Sequence, residues 1–336
     1  MKYIVCQEPS SFELKEKDLT AKKPGEALLK VRRVGICGTD LHAYAGNQAF
    51  FNYPRILGHE LAAEILEIDQ NDKGLKQGDK VIVMPYVSCG SCIACRRGKT
   101  NCCSNIKVLG VHTDGGMQEV ISVRTDLLIQ TNELEYNEMA IVEPLAIGAH
   151  ALRRSDVQAG DYVVVIGCGP IGIGLMKLAQ LIGANVIALD VNEDRLRYTV
   201  DQIGVQHAFN VLEDPVGNIY KLTNADMATA VFDATGNKRA LETGVDYMAH
   251  GGEFILVGLS KDELCYSHPK IHAKETTLKC SRNATLEDFE FVIKHLKEFP
   301  TSSFITHEVH YTEMISNFDS WLEPKTGVIK AMVHFD

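Results

Sequence analysis

The chain has 336 residues, 45% hydrophobic and 23% charged, with a formal net charge of −10. That length and apolar content suit two domains with well-buried cores, and an acidic balance without a concentrated basic block argues against nucleic acid or anionic membranes as partners. No apolar run approaches membrane-spanning length, and the opening stretch MKYIVCQEPSSFELKEK lacks the long apolar segment of a signal peptide, so a cytoplasmic protein is expected.

From the start to about residue 140, short strands such as GEALLKVRR and GDKVIVM are punctuated by Gly, Pro and Asp, which predicts a β-rich domain. Within it stand Cys37-Gly-Thr39-Asp40-Leu-His42, then Gly58-His59-Glu60 and, much later, Glu143-Pro144. Cys, His and carboxylate ligands at separated positions describe a metal site with room for an exchangeable water or substrate. Each residue alone is bland, because single buried Cys or His side chains are common packing residues. Their order beside two further motifs gives them weight.

The first of those motifs is Cys89, Cys92, Cys95 and Cys103 in SCGSCIACRRGKTNCC, a Gly- and charge-rich stretch that could not build a hydrophobic core. Four thiolates from one short loop suit the closed tetrahedral coordination of structural zinc, which leaves no open position for chemistry. Cys102 is the spare thiol.

From Asp161 the pattern changes. A buried-strand run, YVVVIG, leads into a helix with Ile171, Leu175, Leu178, Ala179 and Ile182 on one face and then a second strand, NVIALD. The second motif lies at that junction: Gly167-Cys-Gly169-Pro-Ile171-Gly172 is G-x-G-x-x-G between strand and helix. Its first glycine permits the turn, its second lets the backbone approach a pyrophosphate and its third allows close packing of the helix. The second strand ends at Asp190, where an acid binds the adenosine ribose hydroxyls and repels a 2′-phosphate, so NAD is expected rather than NADP. Arg195 complicates this, since a nearby Arg can accept a 2′-phosphate; Asp190 is weighted above it, and Arg195 is read as flanking the adenosine.

Strand-like runs at AVFDATG and GEFILVGL extend the parallel sheet. After about residue 273 come TLKCSRN, an amphipathic helix bearing Leu286, Phe289, Ile293 and Leu296, and a closing strand, GVIKAMVHF, all expected to return to the first domain. The expected boundaries are therefore 1–144, with the cysteine lobe at about 86–105, then 145–273 for the dinucleotide-binding domain, and 274–336 for the return.

CGTDLH, GHE, GDKV, the four cysteines, GCGPIG, LDVNEDRL and the closing strand occur in one order along essentially the whole chain. In that order the chain resembles the medium-chain, zinc-dependent alcohol dehydrogenase family, and most closely its branch of sorbitol, L-threonine and sugar-acid dehydrogenases, which has Glu at the position matched by Glu143. The resemblance implies an α/β protein, a Rossmann doubly wound parallel sheet inserted in a GroES-like catalytic domain. It implies two zinc ions per chain and NAD.

By resemblance, Cys37 and His59 would bind catalytic zinc with Glu60 as third ligand, while Glu143 would either ligate directly or hold the zinc-bound water; the sequence leaves both carboxylates open. Asp40 would orient His59 or else cap local backbone. Zinc would acidify the bound hydroxyl, and Thr39 would take its proton and pass it through the nicotinamide ribose to His42. Ile171, in the glycine turn, would line the cofactor groove, Val257, Gly258 and Leu259 would face the nicotinamide ribose, the segment 233–236 would lie near the adenosine, and Ser281 and Arg282 would border nicotinamide and substrate.

Glu143, His112, Arg282 and Asn283 would make a polar substrate pocket. An Arg there could hold a carboxylate bidentately, and LGVHTDGG resembles the same segment of sugar-acid dehydrogenases, so the expected substrate is a polyol or an aldonic acid; Arg282 could instead serve the cofactor or a neighbouring carboxylate. Oxidation of L-threonine at its 3-hydroxyl is the alternative, and a non-catalytic zinc protein that senses NAD(H) the remote one. The strand GEFILVGL would form the edge of the Rossmann sheet, implying a homodimer or homotetramer. Two departures from the family pattern, Ala63 and Asp69, remove no candidate ligand.

Overall fold

The computed structural model describes residues 1–19, 21–48 and 51–336 and divides into two compact units, Met1–Glu143 with Thr301–Asp336, and Pro144–Pro300. The first begins with strands β1 (Lys2–Glu8), β2 (Ser11–Glu16) and β3 (Glu26–Ile36), helix α1 (Gly38–Tyr44), β4 (Glu60–Glu67), β5 (Lys80–Val83) and β6 (Tyr86–Val87). Then come α2 (Ile93–Arg96), β7 (Lys107–Val108), β8 (Val120–Arg124), β9 (Leu128–Gln130), α3 (Tyr136–Ala140) and α4 (Val142–Arg153), whose first turn carries Glu143. The second unit runs β10 (Tyr162–Ile166), α5 (Pro170–Leu181), β11 (Asn185–Asp190), α6 (Glu193–Tyr198), β12 (His207–Asn210), α7 (Pro215–Leu222), β13 (Ala228–Asp233), α8 (Lys238–Thr243), β14 (Met248–Leu256), α9 (His268–Ala273), β15 (Thr277–Cys280) and α10 (Leu286–His295). The chain returns through α11 (Thr301–Phe304), β16 (Ile305–His310), α12 (Tyr311–Leu322) and β17 (Lys330–His334).

The first unit is built on a mixed sheet in the order β16-β17-β3-β4-β5-β9, with β8 also paired to β3. Leu29, Val31 and Val34 of β3 face one core with Leu61, Ala63 and Ile65 of β4 and Phe318 and Trp321 of α12. This arrangement sets the end of β3 between the starts of β4 and β17, since Gly35 pairs with Glu60 and Ile36 with Ala331. Cys37, His59 and Glu60 therefore come together although Cys37 and His59 are 22 positions apart in the chain.

The second unit is a six-stranded sheet ordered β12-β11-β10-β13-β14-β15, with every neighbouring pair parallel. The near-continuous apolar runs of β10 and β13 are what a parallel strand covered on both faces requires. Chain order reverses between β10 and β13, which is where such sheets bind ligands beyond their carboxyl ends.

Two expectations need correction. The return to the first unit lies at Thr301 rather than 274, because β15 adds to the parallel sheet in register with β14, Glu253 opposite Thr277, and α10 stays with it. The helix buries Phe289 and Val292, with Leu296 just beyond it, and leaves Leu286 exposed. Its apolar stripe is compatible with either sheet, so periodicity alone could not assign it. GEFILVGL is consequently not the sheet edge: β14 lies between β13 and β15, and β15 is the edge strand.

Candidate active site

Cys37 caps α1, and its backbone N–H donates to Asp40 Oδ2 at 2.9 Å, while Gly58 N–H donates to Asp40 Oδ1 at 3.3 Å. The buried Asp40 carboxylate thus ties the Cys37 turn to the segment that presents His59. His59 Nδ1 lies 3.8 Å from Asp40 Oδ1, beyond hydrogen-bond reach, and is a buried nitrogen without a hydrogen-bond partner. Of the two roles open to Asp40, capping the local backbone is the one its hydrogen bonds serve.

One ligand atom each from Cys37, His59 and Glu60 can be chosen so that all lie within 4.8 Å of one another. Glu60 is fully buried, and Lys330 Nζ donates to its Oε1 and Oε2 at 2.7 Å each and to Ile36 O at 3.0 Å. Burial lowers the Lys330 pKa, but Glu60, with Cys37 and Glu143 behind it, outweighs that and holds the ammonium above its ordinary range. Tyr86 Oη donates to Glu143 Oε1. Burial pushes the Glu143 carboxyl up to about 7; Glu60 adds to the rise, while His59, Tyr86 and Lys330 oppose it. The Glu60 and Glu143 carboxylates and the Cys37 sulfur share one lysine as counter-charge, and with the His59 imidazole they make a donor set that fits a divalent metal.

Thr39 and His42 lie one turn apart on α1, Thr39 half-buried and His42 exposed, so they share a helix face. His112 is exposed, and its Nδ1 accepts from Val108 N–H at 3.1 Å, closing its own loop. That loop abuts the His59 segment, because Gly115 N–H donates to Ile56 O and Gly116 N–H to Gly58 O. A Cβ on Gly115 would lie 2.2 Å from Gly58 O. His112 itself is outside the ligand cluster.

The second group of metal-type ligands is Cys89, Cys92, Cys95 and Cys103, their sulfurs all within 4.8 Å. Backbone N–H groups of Cys89 and Asn105 donate to Cys103 Sγ at 3.3 and 3.4 Å, as a thiolate cage asks. Hydrogen bonds from Ser91 hold the Cys89 thiol down to about 5. Cys102 is exposed, on the 3₁₀ turn before Cys103.

In the second unit Gly167 adopts φ 101°, and a Cβ there would lie 2.7 Å from Thr235 Cγ2, on the loop after β13. Gly169 caps α5, Pro170 fills its first position, and Arg195 Nη1 lies 3.6 Å from where a Gly169 Cβ would sit. Arg195 thus reaches back to the turn. A Cβ on Gly172 would sit 1.9 Å from Gly167 O, so the third glycine lets the helix close on the turn itself. Ile171, half-buried, lies between them. Asp190 Oδ2 accepts from Cys168 N–H at 2.7 Å and Oδ1 from Asn192 N–H at 2.9 Å. A carboxylate offers about four lone-pair sites, so both oxygens keep capacity for ribose hydroxyls.

Val257 and Gly258 N–H both donate to Asp233 O at 2.9 Å, a Cβ on Gly258 would meet Gly236 N at 2.0 Å, and Leu259 is 79% exposed. Ser281 donates its N–H to Leu256 O at 2.8 Å, and its buried Oγ has no hydrogen-bond partner. Arg282 follows, exposed, and then Asn283 with φ 53°. These residues cluster at the carboxyl ends of β13, β14 and β15.

Sequence reasoning missed Lys330, Tyr86 and Gly35. Lys330 left a trace, as the lone charge in the apolar closing run GVIKAMV; Tyr86 and Gly35 left none, because their partners are distant in the chain.

Residues 23–133 match the family described as "Alcohol dehydrogenase GroES-like domain" and residues 170–298 match "Zinc-binding dehydrogenase". An L-galactonate-5-dehydrogenase of Escherichia coli K12 is 38% identical over 100% of this chain and 99% of its own. The chain belongs to the medium-chain zinc-dependent alcohol dehydrogenase family. A sorbitol dehydrogenase of Bacillus subtilis is 32% identical over 92% of this chain and 90% of its own. Among solved structures, an alcohol dehydrogenase of Escherichia coli CFT073 complexed with NADH aligns over 100% of this family member and 99% of its own chain, with 28% identity and a TM-score of 0.92.

Proposed function

We propose that this dehydrogenase oxidises a secondary hydroxyl of a sugar acid, or of a related polyol, with hydride transfer to NAD. The observation that carries the reading is the clustering of half-buried Cys37 with buried His59 and Glu60, with buried Glu143 close by, in a chain that has an L-galactonate-5-dehydrogenase as a relative over its full length. When bound, zinc supplies the Lewis acidity that makes a hydroxyl acidic near neutral pH, and NAD accepts the hydride.

The chain's own residues do the rest. Cys37, His59 and Glu60 hold the metal, and Glu143, oriented by Tyr86, ligates it or holds its water. Thr39 Oγ1 takes the substrate proton, and exposed His42 passes it to solvent. The turn from Gly167 to Gly172 presents backbone N–H groups to the pyrophosphate, with Arg195 beside it. Asp190 binds the ribose hydroxyls and disfavours a 2′-phosphate. Val257, Gly258, Leu259 and Ser281 face the nicotinamide end, and Arg282, Asn283 and His112 read the substrate. Cys89, Cys92, Cys95 and Cys103 hold the second, structural zinc.

No helix among the described residues is long and apolar enough to cross a membrane; a cytoplasmic homo-oligomer completes the proposal. NAD reduction by the zinc-loaded protein, screened over aldonates, polyols, L-threonine and simple alcohols, tests it. The highest kcat/KM should fall among the aldonates or polyols, and a clear preference for L-threonine overturns the substrate assignment.

A further inference from the structure

Lys330 is the charge in the metal centre that the reading above leaves without a task. It is 1% exposed at the first position of β17, bonded to both oxygens of Glu60 and to Ile36 O. A lysine in a strand core persists only when paired, and here the partner is itself one of the three clustered ligands. Opposite Glu60 on β3 stands Gly35, where a Cβ would sit 2.0 Å from Oε2. A slot in β3 and an ammonium group thus fix one position for the carboxylate.

We propose that Lys330 is a positioning residue for the Cys37–His59–Glu60 centre: it holds Glu60 in its slot and, as a fixed cation behind that ligand, weakens Glu60's hold on the metal, making Glu60 an exchangeable ligand. This rests on the reading of those three residues as metal ligands. The ammonium occupies one lone-pair direction on each oxygen, leaving others for a metal. It also repels a divalent ion sharing the same carboxylate, and the coupling is reciprocal: what Lys330 does to the metal, the metal does to the Lys330–Glu60 pair. A site that must keep a position open for substrate gains from a ligand that can let go.

The test uses the full zinc-loaded chain with Lys330→Met, Lys330→Arg and Gly35→Ala, reading zinc per chain, the rate of zinc release to a chromophoric chelator, and unfolding temperature with and without zinc. Lys330→Met should slow release of the faster ion about tenfold, leave the four-cysteine ion unchanged and destabilise the metal-free chain more than the loaded one; Glu60→Gln in the same chain should recover that loss. Lys330→Arg should keep the wild-type rate, and Gly35→Ala, by displacing the carboxylate, should speed release. If Lys330→Met loses equal stability with and without zinc and releases it at the wild-type rate, Lys330 is structural and the inference falls while the metal reading stands. An unchanged release rate in Gly35→Ala sinks it equally, should Lys330→Met not fold. A wild-type chain holding only the four-cysteine ion overturns the metal reading itself.

Discussion

Asp190, the last residue of β11, accepts a hydrogen bond from the backbone N–H of Cys168 at 2.7 Å, so the residue proposed to select the cofactor also braces the turn proposed to bind its phosphates. Two functions on one carboxylate predict a compound effect of substitution. Asp190→Ser should raise the NADP-to-NAD ratio of kcat/KM by about tenfold, because repulsion of the 2′-phosphate is lost. It should also lower kcat/KM with NAD outright, since the turn loses its brace, while zinc content stays unchanged. Steady-state kinetics with both cofactors check this; equal use of both by the wild-type enzyme would refute the assignment.

The two groups of metal ligands predict two ions of unequal lability. On the proposed reading the four-thiolate cage would be a closed shell, whereas the Cys37–His59–Glu60 centre would keep a position for substrate. A chelator should therefore remove one ion per chain within the time that the other stays bound, and activity should disappear with the first. Cys95→Ser should instead lose the slow ion and lower the unfolding temperature. Metal analysis by mass spectrometry against residual activity reads both outcomes.

Asp288 sets an acid limit on the second unit. It accepts from Arg153 Nε at 2.7 Å and from Thr285 N–H at 2.8 Å, with His150 Nδ1 at 2.9 Å. Burial alone would raise its pKa, but these partners outweigh it and hold the carboxyl well below the usual range. A depressed folded-state pKa contributes stability above the unfolded value, about 3.9, which is lost as pH falls through that value toward the folded one. Asp288→Asn should cost about 2–4 kcal/mol at pH 7, with the gap to wild type closing below about pH 4. Urea unfolding across that range measures it, and a gap independent of pH would show that the charge is not what matters.

What the sequence made legible follows from range. The G-x-G-x-x-G turn, its acid and the four-cysteine lobe place their chemistry within about thirty residues, so spacing is enough to read them. CGTDLH and GHE, bland residue by residue, drew their weight from their order beside those two motifs. Lys330 and Glu60, 270 residues apart, meet only because β17 and β4 both flank β3, and nothing local encodes that pairing. The 274 boundary failed for a related reason. TLKC and the stripe of α10 are short apolar patterns that either sheet could accept, and only the parallel register of β15 on β14 decides between them.

That same register relocates the oligomer prediction. β15 ends the sheet, its Leu278 is 49% exposed, and its outer backbone groups are free to pair with another chain. Homo-oligomerisation through β15 is therefore expected, in a dimer or a tetramer. Leu278→Lys, a charge placed on the edge strand, should shift light scattering toward monomer at micromolar concentration and leave zinc content unchanged. A wild-type monomer under the same conditions removes the basis for this edge contact.

Arg282 carries the substrate prediction. It follows Ser281, whose backbone is fixed to the end of β14, and precedes Asn283 in a left-handed conformation, so the guanidinium starts from a rigid turn at the carboxyl edge of the sheet. Two guanidinium hydrogen bonds to a carboxylate would both bind an aldonate and fix which of its hydroxyls is oxidised. Arg282→Ala should then reduce kcat/KM on aldonates by one to two orders of magnitude, about 1.5–3 kcal/mol for hydrogen bonds to a charged group, with a much smaller loss on neutral polyols of similar length. Zinc content and NAD affinity should hold. Lys in place of Arg keeps the charge but not the fork, so it should recover only part of the aldonate activity. If Arg282→Ala instead weakens NAD binding and lowers acidic and neutral substrates alike, Arg282 serves the cofactor, and the preference for a sugar acid rests on kinship alone.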